Sequence, residues 1–145
     1  MELILWRHAD AEDGAPDLER RLTKKGRKQA ERVADWLRER LPKDFELVSS
    51  PAARARETAE ALDAKMRIEN ALAPGASPAS FVKVSGWPRG AGTVVIVGHQ
   101  PDLGCALAHL VAGQHAEWRL QKGALWWLES GEPPLVKAAI SPDLL

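Results

Sequence analysis

The feature that most constrains the fold is a set of short, uninterrupted apolar runs. Residues 93–97 (TVVIV) are β-branched throughout, and residues 3–6 (LILW) form a second such run near the N-terminus. Runs this short and this apolar are typical of strands that are buried on both faces. A strand of this kind needs covering layers on both sides, so the runs predict a layered α/β fold.

The segments between these runs alternate between helix and strand patterns. Thr23 resembles an N-cap, and apolar residues then recur at three- and four-residue steps until Pro42 closes the predicted helix. Further helices are predicted at 52–64, 77–84 and from Pro101 to about residue 112, with Gly113 as a stop signal. Further strands are predicted at 45–48, 66–68, 124–128 and 135–140. This order predicts a three-layer α/β/α fold around a mostly parallel sheet of about six strands, with an antiparallel edge formed by the last strands.

Length and charge limit the classes of protein to which the chain can belong. Its 145 residues fit one domain spanning 1–145. Lys plus Arg and Asp plus Glu both number 20, which argues against a broad nucleic-acid or anionic-membrane surface. The single cysteine, Cys105, excludes an internal disulfide, and we find neither a signal-peptide pattern nor an apolar run of membrane-spanning length. We therefore expect a cytoplasmic monomer without nucleic-acid or membrane partners.

Charged and basic side chains follow three of the predicted strands. Arg7 and His8 follow the first strand, Arg54 opens the helix after the second, and His99 follows the strand at 93–97. In open α/β sheets, ligands bind beyond the carboxyl ends of the strands. Each residue alone could be an ordinary strand-end or surface residue. Their joint placement predicts that two histidines and two arginines converge on one edge of the sheet.

Such a group of side chains suits phosphoryl transfer. Arginine can bind two phosphoryl oxygens at once, and fixed cations stabilise the charge that these oxygens carry in the transition state. A neutral imidazole is a competent nucleophile if an acceptor holds its other nitrogen. We expect a backbone carbonyl after His8 to be that acceptor, and a second histidine, preferably protonated, to add positive charge. The four histidines lack zinc-site spacing, so we expect neither a metal nor a cofactor.

Four ordered blocks of sequence resemble the histidine phosphatase superfamily, which has the phosphoglycerate-mutase-like fold. They are LWRHA at 5–9, LTKKG at 22–26 with QA at 29–30, SPAARA at 50–55 with TA at 58–59, and VGHQP at 97–101. The resemblance implies that His8 is a nucleophile that is transiently phosphorylated. It also implies that Arg7 and Arg54 bind the phosphoryl group and that His99 contacts its oxygens. Arg56 has no counterpart among the family's fixed cations, so we expect it on the surface.

The short length and the opening RHADAE (residues 7–12) most resemble the SixA-type phosphohistidine phosphatases. Larger relatives place a catalytic acid in an insert between the second arginine and the second histidine. Here residues 64–98 contain one carboxylate, Glu69, and have no room for a helical lid. The resulting open pocket suits a phosphohistidine displayed on a protein. A small-molecule phosphomonoesterase and a non-catalytic phosphoprotein-binding module remain alternatives.

Two features have two interpretations each. Asp10 lies two residues after His8 and is either a proton donor or water-orienting base, or a carboxylate that caps the loop. Residues 24–28 contain four cations at the start of a helix, where they oppose the helix dipole. They form either a docking patch for an acidic phosphoprotein or an ordinary solvated face, and the solvated face is favoured.

Overall fold

The structure is a computed structural model that describes residues 1–145. Its six strands are β1 (Glu2–Arg7), β2 (Glu46–Ser49), β3 (Met66–Ile68), β4 (Thr93–Gly98), β5 (Leu125–Glu129) and β6 (Leu135–Ile140). Its four α-helices are α1 (Lys24–Arg38), α2 (Ala53–Glu60), α3 (Pro78–Ser85) and α4 (Asp102–Ala112). Short 3-10 turns lie at Asp17–Glu19, Asn70–Leu72 and Pro142–Leu144. None of the helices combines the length and the apolar character that crossing a bilayer requires.

The strands form one sheet in the order β3-β2-β4-β1-β5-β6. β1, β4, β2 and β3 pair in parallel, whereas β5 pairs antiparallel with β1 and β6 pairs antiparallel with β5. The predicted mostly parallel sheet with an antiparallel edge is therefore confirmed. β1 and β4 lie side by side with Arg7 opposite Gly98, so the residues that follow these two strands emerge at the same level.

Helices cover both faces of the sheet, as the unbroken apolar strands predicted. Successive side chains of a strand point to opposite faces, so Leu3 packs in one core cluster and Ile4 in the other. α3 and α4 contribute Phe81 and Leu103 to the first cluster, whereas α1 contributes Val33 to the second. The α/β/α layering is confirmed, and the central strands are apolar because each contributes to both cores.

Two helices end earlier than the sequence pattern predicted. The Thr23 side chain caps α1 by accepting the Gly26 N–H at 2.9 Å, but α1 ends at Arg38 and not at Pro42. The Leu41 N–H reaches back to the Leu37 carbonyl oxygen, so the apolar spacing continues through a turn. Helix α2 ends at Glu60, and positive φ at Asp63 (51°) takes the chain out of the helical region predicted to reach residue 64.

Candidate active site

The two histidines predicted to converge lie next to each other. His8 and His99 directly follow β1 and β4, and the parallel pairing of these strands brings their rings together. The ring centroids are 5.2 Å apart and the ring planes are inclined by 54°. Both residues are buried, with 7% and 3% of their surface exposed. Two side chains that are 91 positions apart in sequence therefore share one buried place at the carboxyl edge of the sheet.

A backbone carbonyl orients the His8 ring. Nδ1 lies 2.7 Å from the carbonyl oxygen of Ala9. In the neutral ring Nδ1 donates this hydrogen bond, which leaves the lone pair on Nε2. The Ala9 N–H in turn donates to Thr58 Oγ1 at 3.0 Å, so α2 holds the loop that carries the carbonyl. The sequence-based expectation of a carbonyl acceptor after His8 is confirmed.

Ser50 orients the second histidine. Its Oγ lies 2.7 Å from His99 Nε2 and also accepts the Ala52 N–H at 3.2 Å. His99 Nδ1 is buried and has no hydrogen-bond partner. Sequence reasoning assigned no role to Ser50, although its position immediately after a strand, as the first residue of the block at 50–55, was a usable signal.

Asp17 holds one edge of the Arg54 guanidinium. Arg54 Nη1 donates to the Asp17 carbonyl oxygen at 2.8 Å, and Nη2 donates to the Asp17 carboxylate at 3.1 Å. The Arg54 side chain is only 6% exposed, and its Nε has no partner. Asp17 lies in a loop without a recognisable sequence pattern, so sequence reasoning missed it. Arg56 is exposed and donates to the Pro51 carbonyl oxygen, as expected for a surface residue.

Arg7 is anchored by a different segment of the chain. Its Nη1 donates to the carbonyl oxygen of Leu120 at 2.7 Å, in the segment that precedes β5. Its Nε is buried without a partner. Burial, followed by the charge of Arg119, lowers the pKa of the Arg7 guanidinium below its usual value. Like Arg54, Arg7 therefore has one edge held by the backbone and an unpaired donor.

The unpaired buried nitrogens are concentrated in the residues of this site. Only four buried side-chain polar atoms of the protein lack a hydrogen-bond partner, and three of them are Arg7 Nε, Arg54 Nε and His99 Nδ1. A buried donor without a partner costs about 1–3 kcal/mol. Such atoms rarely occur together unless a polar ligand satisfies them. The three nitrogens belong to residues that lie near the His8 ring and that the sequence predicts to bind one tetrahedral oxyanion, so their lack of partners supports that prediction.

Burial among cations keeps both imidazoles neutral. Burial is the main cause that lowers the pKa of His8 to about 4, and the charges of Arg54 and Arg7 lower it further against the opposing hydrogen bond to Ala9. Burial, then the neighbouring His8 and the charge of Arg54, lower the pKa of His99 to about 3. The expectation of a protonated second histidine is therefore wrong for the free protein. A bound phosphoryl dianion would act in the opposite direction, since an opposite charge favours the protonated ring.

Asp10 fastens the loop after His8 to the start of α1. Its carboxylate contacts Lys122 Nζ at 2.8 Å and accepts the Thr23 hydroxyl at 2.7 Å. Its N–H donates to Gln29 Oε1 at 2.9 Å. The hydrogen bonds from Lys122 and Thr23 lower the pKa of Asp10, so the carboxyl group holds no proton to donate at neutral pH. These contacts agree with the loop-capping interpretation, and the role of Asp10 as a proton donor or water-orienting base stays a prediction.

The other candidates for acid or metal chemistry lie apart from one another. Glu69 pairs with Arg67 at the end of β3. His109 and His115 are exposed on helix and loop. No group of three or more His, Cys, Asp or Glu side chains is arranged to hold a metal ion. The convergent chemistry of the protein is therefore the pair of imidazoles with its two arginines.

Comparison with known proteins agrees with this geometry. Residues 3–87 match the histidine phosphatase superfamily (branch 1). An uncharacterized protein from Picosynechococcus sp. is 38% identical, over 90% of this chain and 86% of that protein. Among solved structures, the protein histidine phosphatase SixA complexed with tungstate has a TM-score of 0.85 at 24% identity, covering 99% of both chains.

Other solved structures share the fold. A candidate phosphohistidine phosphatase SixA from Nakamurella multipartitia has a TM-score of 0.79 at 27% identity, covering 97% of this chain and 95% of that one. Phosphoserine phosphatase from Entamoeba histolytica, in complex with 3-phosphoglyceric acid, has a TM-score of 0.72 at 18% identity, covering 97% and 96%. The fold similarity to SixA extends over nearly the whole chain. The segment that matches the family, residues 3–87, includes His8 and Arg54. The chain therefore belongs to the histidine phosphatase superfamily, branch 1, with a SixA-type fold, and it is a phosphatase.

Proposed function

We propose that the phosphatase reaction proceeds through a phosphohistidine formed on Nε2 of His8. The observation that carries the proposal is the set of three unpaired buried nitrogens in residues beside this ring. The Nδ1 contact to the Ala9 carbonyl leaves the Nε2 lone pair free to attack phosphorus. Because burial lowers the pKa of His8 to about 4, the ring is already unprotonated at neutral pH.

Arg7, Arg54 and His99 bind the transferred group. In phosphoryl transfer the charge lies on the equatorial oxygens, and fixed donors that are aimed at them stabilise the transition state. Each of these residues has one polar edge held by protein and one unpaired nitrogen. A group that is already oriented needs little reorganisation when the anion arrives. The site can thus bind the charge with side chains alone, and the proposed reaction needs no metal.

We infer from the carboxylates nearest the site that the leaving group is a nitrogen. Lowered pKa values for Asp10 and Asp17 mean that neither carboxyl group carries a proton at neutral pH. An ester oxygen leaves readily only when it is protonated, whereas the P–N bond of phosphohistidine is more labile. The phosphoryl group passes to His8 as the P–N bond breaks, and the leaving imidazole takes its proton from water. Water then attacks the phosphorus on His8 and releases inorganic phosphate.

Phosphohistidine on a protein is therefore the proposed substrate, and a small phosphate ester is the alternative. A phosphoserine phosphatase shares the fold, and this similarity supports the alternative. We further propose that the protein works as a cytoplasmic monomer without a nucleic-acid or membrane partner. Its balanced charge supports the absence of those two partners.

The test compares a protein carrying phosphohistidine with para-nitrophenyl phosphate on the same enzyme. We expect acid-labile 32P on the wild-type chain, none on His8→Asn, and a higher kcat/KM for the phosphohistidine protein. A clear preference for small esters would support the alternative. The absence of label from every donor would indicate a phosphate-binding module and not an enzyme.

A further inference from the structure

A basic groove opens on the surface beside the site. It has a volume of about 840 Å³, and Arg7 forms part of its lining. The other cations of the groove come from α1 and from the segment before β5: they are Lys24, Lys25, Lys28, Arg32, Arg119 and Lys122. Arg7 is the one lining residue that also belongs to the site, so the groove borders the phosphoryl-binding residues at Arg7.

The charge of the groove is almost uncompensated. Of its cations, only Lys122 forms an ion pair, with Asp10 at 2.8 Å. Asp143 is the only acidic residue of the lining, and Leu120 is the only hydrophobic one. Like charges brought together repel one another, and a concave surface of one sign attracts ligands of the opposite sign. An ordinary solvated helix face would intersperse both signs, so this arrangement indicates an anionic ligand.

The helical spacing gives the length of that ligand. Lys24, Lys28 and Arg32 follow one another at four-residue intervals, which places them on one face of α1. At a rise of about 1.5 Å per residue, they span roughly 12 Å. An extended chain advances about 3.3 Å per residue, so this row of cations matches about four residues of an extended segment.

We propose that the basic groove docks an acidic segment of the protein substrate that lies next to its phosphorylated residue. The proposal rests on the proposed function, because it takes the substrate to be a protein. The groove is open and polar and lacks aromatic side chains, whereas small-molecule sites enclose their ligand within mostly apolar walls. Electrostatic attraction raises the rate of encounter without requiring a long-lived complex, which suits an enzyme that must release its product.

The test uses two synthetic peptides with one phosphohistidine each, flanked either by glutamates or by glutamines. The groove variant is Lys24→Gln/Lys28→Gln/Arg32→Gln. The matched control is Lys43→Gln/Lys65→Gln/Lys83→Gln, which removes the same charge from exposed positions outside the groove. We expect wild type to prefer the acidic peptide by about tenfold in kcat/KM at low salt. The groove variant and high salt should abolish this preference, and the control should retain it.

Equal kcat/KM for the two peptides with wild type would overturn the docking proposal. An equal loss of the preference for the acidic peptide in the groove variant and in the control would also overturn it. Para-nitrophenyl phosphate hydrolysis should be the same in all three proteins, because the substituted residues lie outside the phosphoryl-binding group.

Binding of the unphosphorylated glutamate peptide to His8→Asn, followed by fluorescence anisotropy, measures docking without catalysis. If no phosphoenzyme forms but the peptide still binds, only the proposed function is refuted. Tighter binding of inorganic tripolyphosphate than of the peptide would identify a polyphosphate site and reject the proposal.

Discussion

The buried site and the basic groove are both positively charged, but they differ in how their charges are held. Arg54 is 6% exposed, and Asp17 fixes one edge of it by two hydrogen bonds. Lys24, Lys28 and Arg32 are exposed and form no ion pairs. Buried, oriented charges act strongly at short range, whereas exposed charges act weakly, at longer range and under screening by salt. We therefore expect the chemical step at the buried site and the proposed encounter with substrate at the basic groove.

The largest expected effect is the loss of the nucleophile. His8→Ala should lower kcat on para-nitrophenyl phosphate by roughly 10⁴-fold or more, because no other group next to the transferred phosphorus can replace Nε2. Steady-state kinetics and acid-labile labelling measure the change. Substantial turnover by a folded His8→Ala protein would contradict the assignment of catalysis to the buried site.

The next effect separates a buried arginine from an exposed one on the same helix. Arg54→Ala should cost about 3 kcal/mol of transition-state stabilisation, which is a loss of roughly 100-fold in kcat/KM. Arg56→Ala is the matched control, because Arg56 is exposed and its side chain donates to the Pro51 carbonyl oxygen on the surface of the protein. It should retain wild-type kcat/KM. Similar losses in both variants would show that general positive charge, and not the held guanidinium, matters.

Ser50→Ala should have a smaller effect, about tenfold in kcat/KM. The substitution removes the Oγ partner of His99 Nε2 and leaves that buried nitrogen unpaired, which costs about 1–3 kcal/mol. His99 is then free to change tautomer and rotate, so KM for phosphate esters should rise together with the fall in kcat. Unchanged kinetics in a stable Ser50→Ala protein would mean that His99 is oriented by packing alone.

The pH dependence of stability tests whether the imidazoles are truly buried as neutral groups. The pKa of His8 is about 4 in the folded protein against 6.5 for an ordinary histidine. Below about pH 6.5 the unfolded chain takes up a proton that the folded protein does not, so the free energy of unfolding should fall from that pH towards pH 4. Urea unfolding between neutral pH and about pH 5 measures it. The free energy of unfolding should depend less on pH in His8→Asn/His99→Asn. It should keep its pH dependence in His109→Gln/His115→Gln, because those histidines are exposed.

The smallest expected effect comes from the groove acting on a small ester. Lys28→Gln should change kcat/KM for para-nitrophenyl phosphate by less than about twofold, because an exposed charge contributes little across a hydrated surface. Measurements at low and high salt should give nearly the same value. A loss of kcat/KM as large as that of Ser50→Ala would show that Lys28 acts together with the phosphoryl-binding residues. The buried site and the basic groove would then not differ in function.

Residue pattern predicted most of the fold and the main members of the site. The β-branched run at 93–97 and the cap at Thr23 depend on local propensity, so the predicted strand and helix both formed, with only the far helix end misplaced. His8 and His99 could be placed together because parallel strands end at one edge of a sheet. Asp17 could not be predicted, since its contact with Arg54 links a patternless loop to a distant helix.

The layered fold and the family of the protein could be inferred from the linear sequence, because short apolar runs and ordered motif blocks are local properties of the chain. The chemical state of the site became defined in the folded protein alone. It left the imidazoles neutral, committed Asp10 to Lys122, and joined Arg7 to the basic groove. These outcomes depend on burial and on the distances between charges that are remote in the chain, and neither quantity is defined until the chain has folded.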